Sequence, residues 1–397
     1  MSQAPERPPE VKSALQSALR LKVIPGLDAT RAVAVSLVVF FHFNYLPTAT
    51  GEMGVMMFFV LSGFLITRIL LMEFLKRGTI SLREFYRRRT LRIFPTFYVC
   101  WLVETLLIAI HREHIRWWEP WASFFYLSDY ARAIAGPETI RHMAIAWSLA
   151  IEEQFYLLWP AVLLCMRVSR KNAARAVAVF ILCVWIYRAI LFIGFHVSYG
   201  YIYNAFDTRI DALMIGSLLA ILSVNAATDP RTAKALALPV KSPWLGVVPL
   251  GALLLTIVFN SEIKDRPWLS MTSFSLQPVF VAVFLIQAVC FGNSQWRLLA
   301  HPGLRFIAKI SYALYLYHFL VITEFNRISF AGYSGEFLGF RVLDPAHHLR
   351  MLLRLAPAVI LPIISYYAVE LPFMRMRDRK RRSVHALGVD DAVVPAP

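Results

Sequence analysis

Polar residues punctuate the chain between long apolar stretches, and no stretch alternates apolar and polar residues as a strand does. The recurring stretches are roughly 17 to 25 residues long, the length an α-helix needs to cross the hydrocarbon core of a bilayer. Helices are therefore preferred to a lipid-facing β-barrel. Ten spans are predicted: Leu27–Leu46, Glu52–Met72, Ile93–Ile110, Ile145–Met166, Ala176–Phe195, Ile210–Val224, Trp244–Asn260, Thr272–Phe291, Ile310–Asn326 and Met351–Phe373. The expected fold is an all-α polytopic membrane protein.

Composition agrees: of 397 residues 58% are hydrophobic and only 17% charged, which excludes a water-soluble or disordered chain. With the amino terminus inside, the inner segments carry most of the 41 Lys and Arg, so both termini are expected in the cytoplasm. The net charge of +16 then reflects topology and contact with lipid headgroups, not nucleic acid. Three regions are expected: a cytoplasmic segment 1–23, a transmembrane domain 24–373, and a basic, disordered cytoplasmic tail 374–397. No removable signal peptide is expected. Cys100, Cys165, Cys183 and Cys290 lack metal or disulfide spacing and read as packing residues; no metal site is expected. The loop 111–144, with Trp117, Trp118, Trp121 and Tyr126, is expected to lie along the outer interface.

Ionisable groups inside spans cost about 2.5 to 3.5 kcal/mol on insertion scales, so each needs a reason. Arg31 and His42 lie eleven residues apart and return to nearly the same helix face, with Asp28 as a partner or cap for Arg31. In the fourth span Ser148, Glu152 and Tyr156 share a face, which the adjacent Glu153 is not expected to join. Glu152 falls at the depth of His42; a carboxylate that orients an imidazole is a recurrent general-base arrangement, and imidazole exchanges protons near neutrality. Arg209 and Asp211 reach the same layer, either as a buried ion pair fixing register or as part of a site. Arg83, Arg87, Arg88, Arg89 and Arg92 form either a stop-transfer cluster or, if a helix runs through Arg89 and Arg92, a phosphate-binding fork. His318 in the ninth span reads either as a hydrogen-bonded packing histidine among Tyr315 and Phe319 or as a supporting residue of the site, and Ser62-Gly63 as a place of close helix approach.

Taken in order, Leu27-Asp28-Ala29-Thr30-Arg31 through His42, Phe58 through Phe64, Arg88-Arg89-Thr90-Leu91-Arg92-Ile93-Phe94-Pro95, Trp147 through Tyr156, Arg209 through Leu213 and Ser311 through His318 resemble the acyltransferase-3 family of integral-membrane O-acyltransferases. The resemblance covers residues ~24 to ~373. It implies about ten transmembrane helices in a bacterial cytoplasmic (inner) membrane. It also implies transfer of an acyl group, usually acetyl, from cytoplasmic acyl-CoA to a hydroxyl of a glycan, glycolipid or similar acceptor. Arg31 and His42 match the family's basic residue and histidine of the first span, and Arg89 and Arg92 its paired donor-site arginines. Ala29 stands where Gly is frequent, Met56 where an acidic residue is frequent, and Phe319-Leu320 where Pro often follows the ninth-span histidine. Some members carry an extracytoplasmic hydrolase-like domain, for which this chain is expected to have no room.

The resulting expectation has the CoA phosphates held by Arg89 and Arg92, with the thioester threading past Arg31 toward His42. His42 acts as general base, oriented by Glu152, and Ser148, Tyr156 or Arg209 steadies the oxyanion. An acyl-histidine intermediate is the variant. The rival class is a transporter or flippase using the same buried charges as a pathway. It is discriminated by whether acetyl-CoA binds and the acetyl group leaves the thioester.

Overall fold

A computed structural model describes residues 24–136, 140–166, 170–226, 229–241, 251, 255, 258–259, 267–291, 297–327, 336–337, 340–341 and 345–376. In chain order the helices are α1 (Pro25–His42), α2 (Thr48–Arg77), α3 (Leu82–Ile110), the short α4 (Glu119–Phe124) and α5 (Ser128–Ala135), and α6 (Ala146–Cys165). Then follow α7 (Arg170–Ala189), closed by a π-turn, the short α8 (Tyr199–Asn204), α9 (Phe206–Ala226), α10 (Pro230–Lys241), α11 (Pro267–Phe291), α12 (Pro302–Arg327) and α13 (Pro345–Ser365). The only described strands are a two-residue antiparallel pair, Glu336–Phe337 against Phe340–Arg341. The predicted seventh span, Trp244–Asn260, and the segments 1–23 and 377–397 lie outside the described residues, apart from a few positions between 251 and 259.

Among the described residues seven segments are long and apolar enough to cross a membrane: Thr48–Arg77, Leu82–Ile110, Asn172–Gly194, Tyr199–Ala226, Trp268–Cys290, Pro302–Phe325 and Leu355–Met376. The protein is thus a multi-pass, helical membrane protein. Two other predicted spans, α1 and α6, also form as helices. They are less apolar because each carries its own charges, Asp28 and Arg31 on one and Glu152 and Glu153 on the other. Several helices extend past the predicted limits. Ser81 caps α3 by accepting a hydrogen bond from the Glu84 amide, so α3 starts well before Ile93 and carries Arg89 and Arg92 as helical residues.

α2 and α9 pack at the centre, with α1, α6 and α12 around them. A Cβ on Gly63 would run into the Leu213 carbonyl, and one on Gly216 into the Val60 carbonyl, so α2 and α9 approach as only glycines permit. The Ser62-Gly63 pair does serve close packing. Toward the periphery α3, α7 and α13 turn Leu102, Leu106, Ile186, Ile360 and Ile364 outward, the apolar surface that lipid would cover. All four cysteines are free, but only Cys100 is buried, while Cys165 and Cys183 are exposed.

Candidate active site

Two cavities abut inside the helical bundle. The first, about 360 Å³, is lined by the cations Arg31, Arg68, Arg89 and Arg92 together with Asp28, Ser62, Ser148, Glu152, Glu153, Tyr156, Tyr312 and Tyr315. The second, about 380 Å³, is lined by His42, Glu52, Arg132, Trp147, Tyr199, Tyr203, Asn204 and Phe319, and again by Tyr315. Val55 and Tyr315 line both. Instead of the passage expected between Arg31 and His42, two chambers meet at a wall formed by the Val55 and Tyr315 side chains. The Tyr315 hydroxyl is held in that wall 2.6 Å from Ser148 Oγ.

A division of labour along α3 decides which of its arginines line the cavity. Arg87 is bound by Glu84 at 2.8 Å and Arg88 by Glu73 at 3.1 Å, so these two are spent on packing the helix ends. Arg89 instead lays its guanidinium 4.2 Å over the Tyr156 ring, and Arg92 lines the cavity one turn further on. Arg31 reaches the same cavity from α1 and keeps Asp28 at 3.3 Å. Four arginines against the carboxyl groups of Asp28, Glu152 and Glu153 give this chamber the donors that an anionic group would need. Both Glu152 and Glu153 line this cavity, contrary to the expectation that only one of them faces inward; a chamber broad enough to touch two flanks of α6 admits both.

Glu152 is not the partner of His42. It accepts a hydrogen bond from the Tyr156 hydroxyl at 2.6 Å, and that hydroxyl lies 3.0 Å from Ser62 Oγ, so Glu152, Tyr156 and Ser62 form one knot in the arginine cavity. His42 ends α1 in the other cavity, its Nδ1 2.9 Å from the Val38 carbonyl and 3.2 Å from His318 Nε2. Similar depth along two helices does not make two residues neighbours; the wall at Val55 and Tyr315 stands between them. His318, for which the sequence left packing and a supporting role open, is fully buried and bonded to His42.

Arg209 and Asp211 also part company. Asp211 pairs with Arg188 of α7 at 2.9 Å, and Arg188 donates further to the Thr208 carbonyl and Ser275 Oγ. Arg209 sits among the rings of Phe274, Tyr203 and Phe59, at 4.9, 5.2 and 5.9 Å, and lines neither cavity. The ion-pair alternative holds for Asp211 with a different arginine; an oxyanion role for Arg209 has no geometric support.

In the loop 111–144, Trp117 and Trp121 are exposed, whereas Tyr126 is buried, stacked 4.4 Å from Phe97. Its α5 supplies Arg132 to the histidine cavity. Two buried ionisable groups hold this segment. His142 Nε2 lies 2.9 Å from Thr105 Oγ1 and its Nδ1 2.9 Å from Ser123 Oγ, and burial lowers its pKa to about 4. Asp129 accepts from Gln154 of α6 at 3.0 Å, and burial raises its pKa to about 6. Arg132 carried no sequence signal, being a loop residue among many. Arg68 and Glu52 did, as charges inside or at the end of an apolar span.

The fold places the chain in the class of multi-pass, helical membrane proteins. Residues 24–368 match the acyltransferase domain family, and the chain belongs to it. It is 29% identical over 374 residues to the peptidoglycan O-acetyltransferase OatA of Listeria monocytogenes, covering 89% of this chain and 56% of that protein. To the O-acetyltransferase OatA of Staphylococcus aureus it is 31% identical over 327 residues, covering 77% of this chain and 51% of that one. The chain thus spans little more than half the length of these relatives. No solved structure matches it.

Proposed function

We propose that the chain transfers an acetyl or other small acyl group from acyl-CoA to a hydroxyl of a surface glycan or glycolipid, with donor and acceptor entering the two cavities from opposite sides of a bacterial inner membrane. The reading has about ten helices with both termini in the cytoplasm, the arginine cavity opening inward and the histidine cavity outward. The single observation that carries it is the abutment of a four-arginine chamber and a histidine chamber at Val55 and Tyr315. Arg31, Arg89 and Arg92 bind the CoA phosphates and the entrance of the pantetheine arm. Arg68 lines the same chamber.

The ring of His42 is held with its proton on Nδ1, because the Val38 carbonyl beside that nitrogen can only accept. Its other nitrogen, Nε2, keeps a lone pair and has no protein partner among the described residues. The acceptor hydroxyl gives its proton to His42 Nε2 as its oxygen bonds to the thioester carbon. The C–S bond then breaks, and the imidazolium returns the proton to the CoA thiolate. Ser148 and the Tyr315 hydroxyl, 2.6 Å apart in the wall, supply the donors for the oxyanion. Glu152 and Tyr156 shape the donor chamber.

The test is transfer itself. Protein in proteoliposomes loaded with labelled acetyl-CoA on one face should raise the mass of surface glycan or glycolipid by one acetyl group, and His42→Ala should abolish that rise without changing the melting shift given by CoA. Label crossing the bilayer still attached to CoA, or as free acetate, would support transport instead.

A further inference from the structure

We propose that His318 is the positioning residue for His42: its Nε2 accepts a hydrogen bond from His42 Nδ1–H, fixing the ring with its basic nitrogen toward the cavity. The proposal rests on the reading of His42 as general base. His318 sits in the same local geometry as its partner. Each histidine sets Nδ1 2.9 Å from the carbonyl four residues earlier on its own helix, Val38 for one and Leu314 for the other. A carbonyl oxygen only accepts, so both rings carry their proton on Nδ1. His318 Nε2 then presents a lone pair, 3.2 Å from His42 Nδ1. The His42 proton is shared between a carbonyl and an imidazole, and each acceptor pulls the ring into one orientation.

His318 does not line the histidine cavity and is fully buried, so it acts through His42 and not on a substrate. Its ring is fixed by Tyr315, 5.9 Å away between centroids, while Phe319 meets the His42 ring edge-on at 5.4 Å. When His42 takes the acceptor proton on Nε2, the Nδ1–H bond to His318 becomes charge-assisted and strengthens. A carboxylate fills this place in a Ser-His-Asp triad; here a neutral imidazole does, in a bundle where a second buried charge would be costly. The charged groups lining the cavity beside the pair are Glu52 from α2 and Arg132 from α5.

The experiment measures CoA release from acetyl-CoA by the full-length protein in proteoliposomes, with chitotriose or water as acceptor, alongside the melting shift produced by CoA. His318→Phe should lower kcat roughly tenfold to a hundredfold, by analogy with the loss of a hydrogen-bond partner that orients a metal-bound histidine, with KM for acetyl-CoA and the CoA melting shift within about twofold of wild type. His318→Gln, whose amide oxygen accepts, should recover part of the loss. If the Phe variant melts early, His318→Leu against His318→Gln makes the same comparison. Unchanged kcat in the variants lacking an acceptor, with His42→Ala inactive, overturns the positioning role alone, as does a folded Gln variant no better than Phe or Leu. If His42→Ala keeps full CoA release, the reading of His42 as base fails and the positioning role goes with it.

Discussion

Two residues of the loop 111–144 have opposite linkage to pH. His142, lowered to about 4 from an unfolded value of ~6.5, contributes stability that is full above ~6.5 and is lost as pH falls toward 4. Asp129, raised to about 6 from ~3.9, contributes stability that is full below ~3.9 and is lost as pH rises through 6. Each amounts to about 3 kcal/mol at most, and over the shared window they nearly cancel. The wild-type segment should therefore show protection from proteolysis and hydrogen exchange that is flat between pH 4 and 6.5. Asp129→Asn should make protection rise with pH over that window, and His142→Gln should make it fall. Parallel profiles in all three proteins would refute the pair. Within the arginine cavity, Arg89→Ala with Arg92→Ala should raise KM for acetyl-CoA at least tenfold and reduce the CoA melting shift, since each guanidinium–phosphate contact contributes about 1.5 kcal/mol or more. An unchanged KM would remove both from the donor site.

Between α7 and α9 the Arg188–Asp211 bridge is fully buried, with the guanidinium also donating to the Thr208 carbonyl and Ser275. Removing one partner leaves a bare charge in a dry bundle, at a cost of about 3 to 5 kcal/mol, whereas replacing both with apolar residues of similar volume is close to neutral. Arg188→Met should thus lower the melting temperature well below that of Arg188→Met with Asp211→Leu, and equal losses would show that the pair does not couple the two helices. The approximate positions of the long apolar helices were legible in the sequence because hydropathy and length suffice for them, whereas the extension of α3 back through Arg89 and Arg92 was left conditional because its first turns are polar. The partners of the charged residues were not. Arg209 and Asp211 are two apart on one helix and point to different neighbours, one to rings and the other to Arg188.

For the whole molecule, transfer between two chambers depends on the wall at Val55 and Tyr315. Filling it with Val55→Phe should leave the CoA melting shift intact and lower acyl transfer at least tenfold. Normal transfer would mean that donor and acceptor meet elsewhere. The same wall explains why Glu152 and His42, placed at matching depth by helix arithmetic, do not touch. Depth is one coordinate of three, and rotation about each axis and the order of helices around the bundle set the other two.

The amino-acid sequence alone determined that the chain is helical and membrane-embedded, which helices carry charge, and the family to which those charged segments belong. These follow from apolar length, local spacing and ordered motifs, all properties read along one dimension. Tertiary structure decided that His318 meets His42 across two helices 276 residues apart, that Glu152 joins Tyr156 instead, and that Arg132 arrives from a loop. Such pairings depend on helix rotation and on close approaches such as that of Gly63 to Leu213, where main-chain packing sets distances that no periodicity encodes.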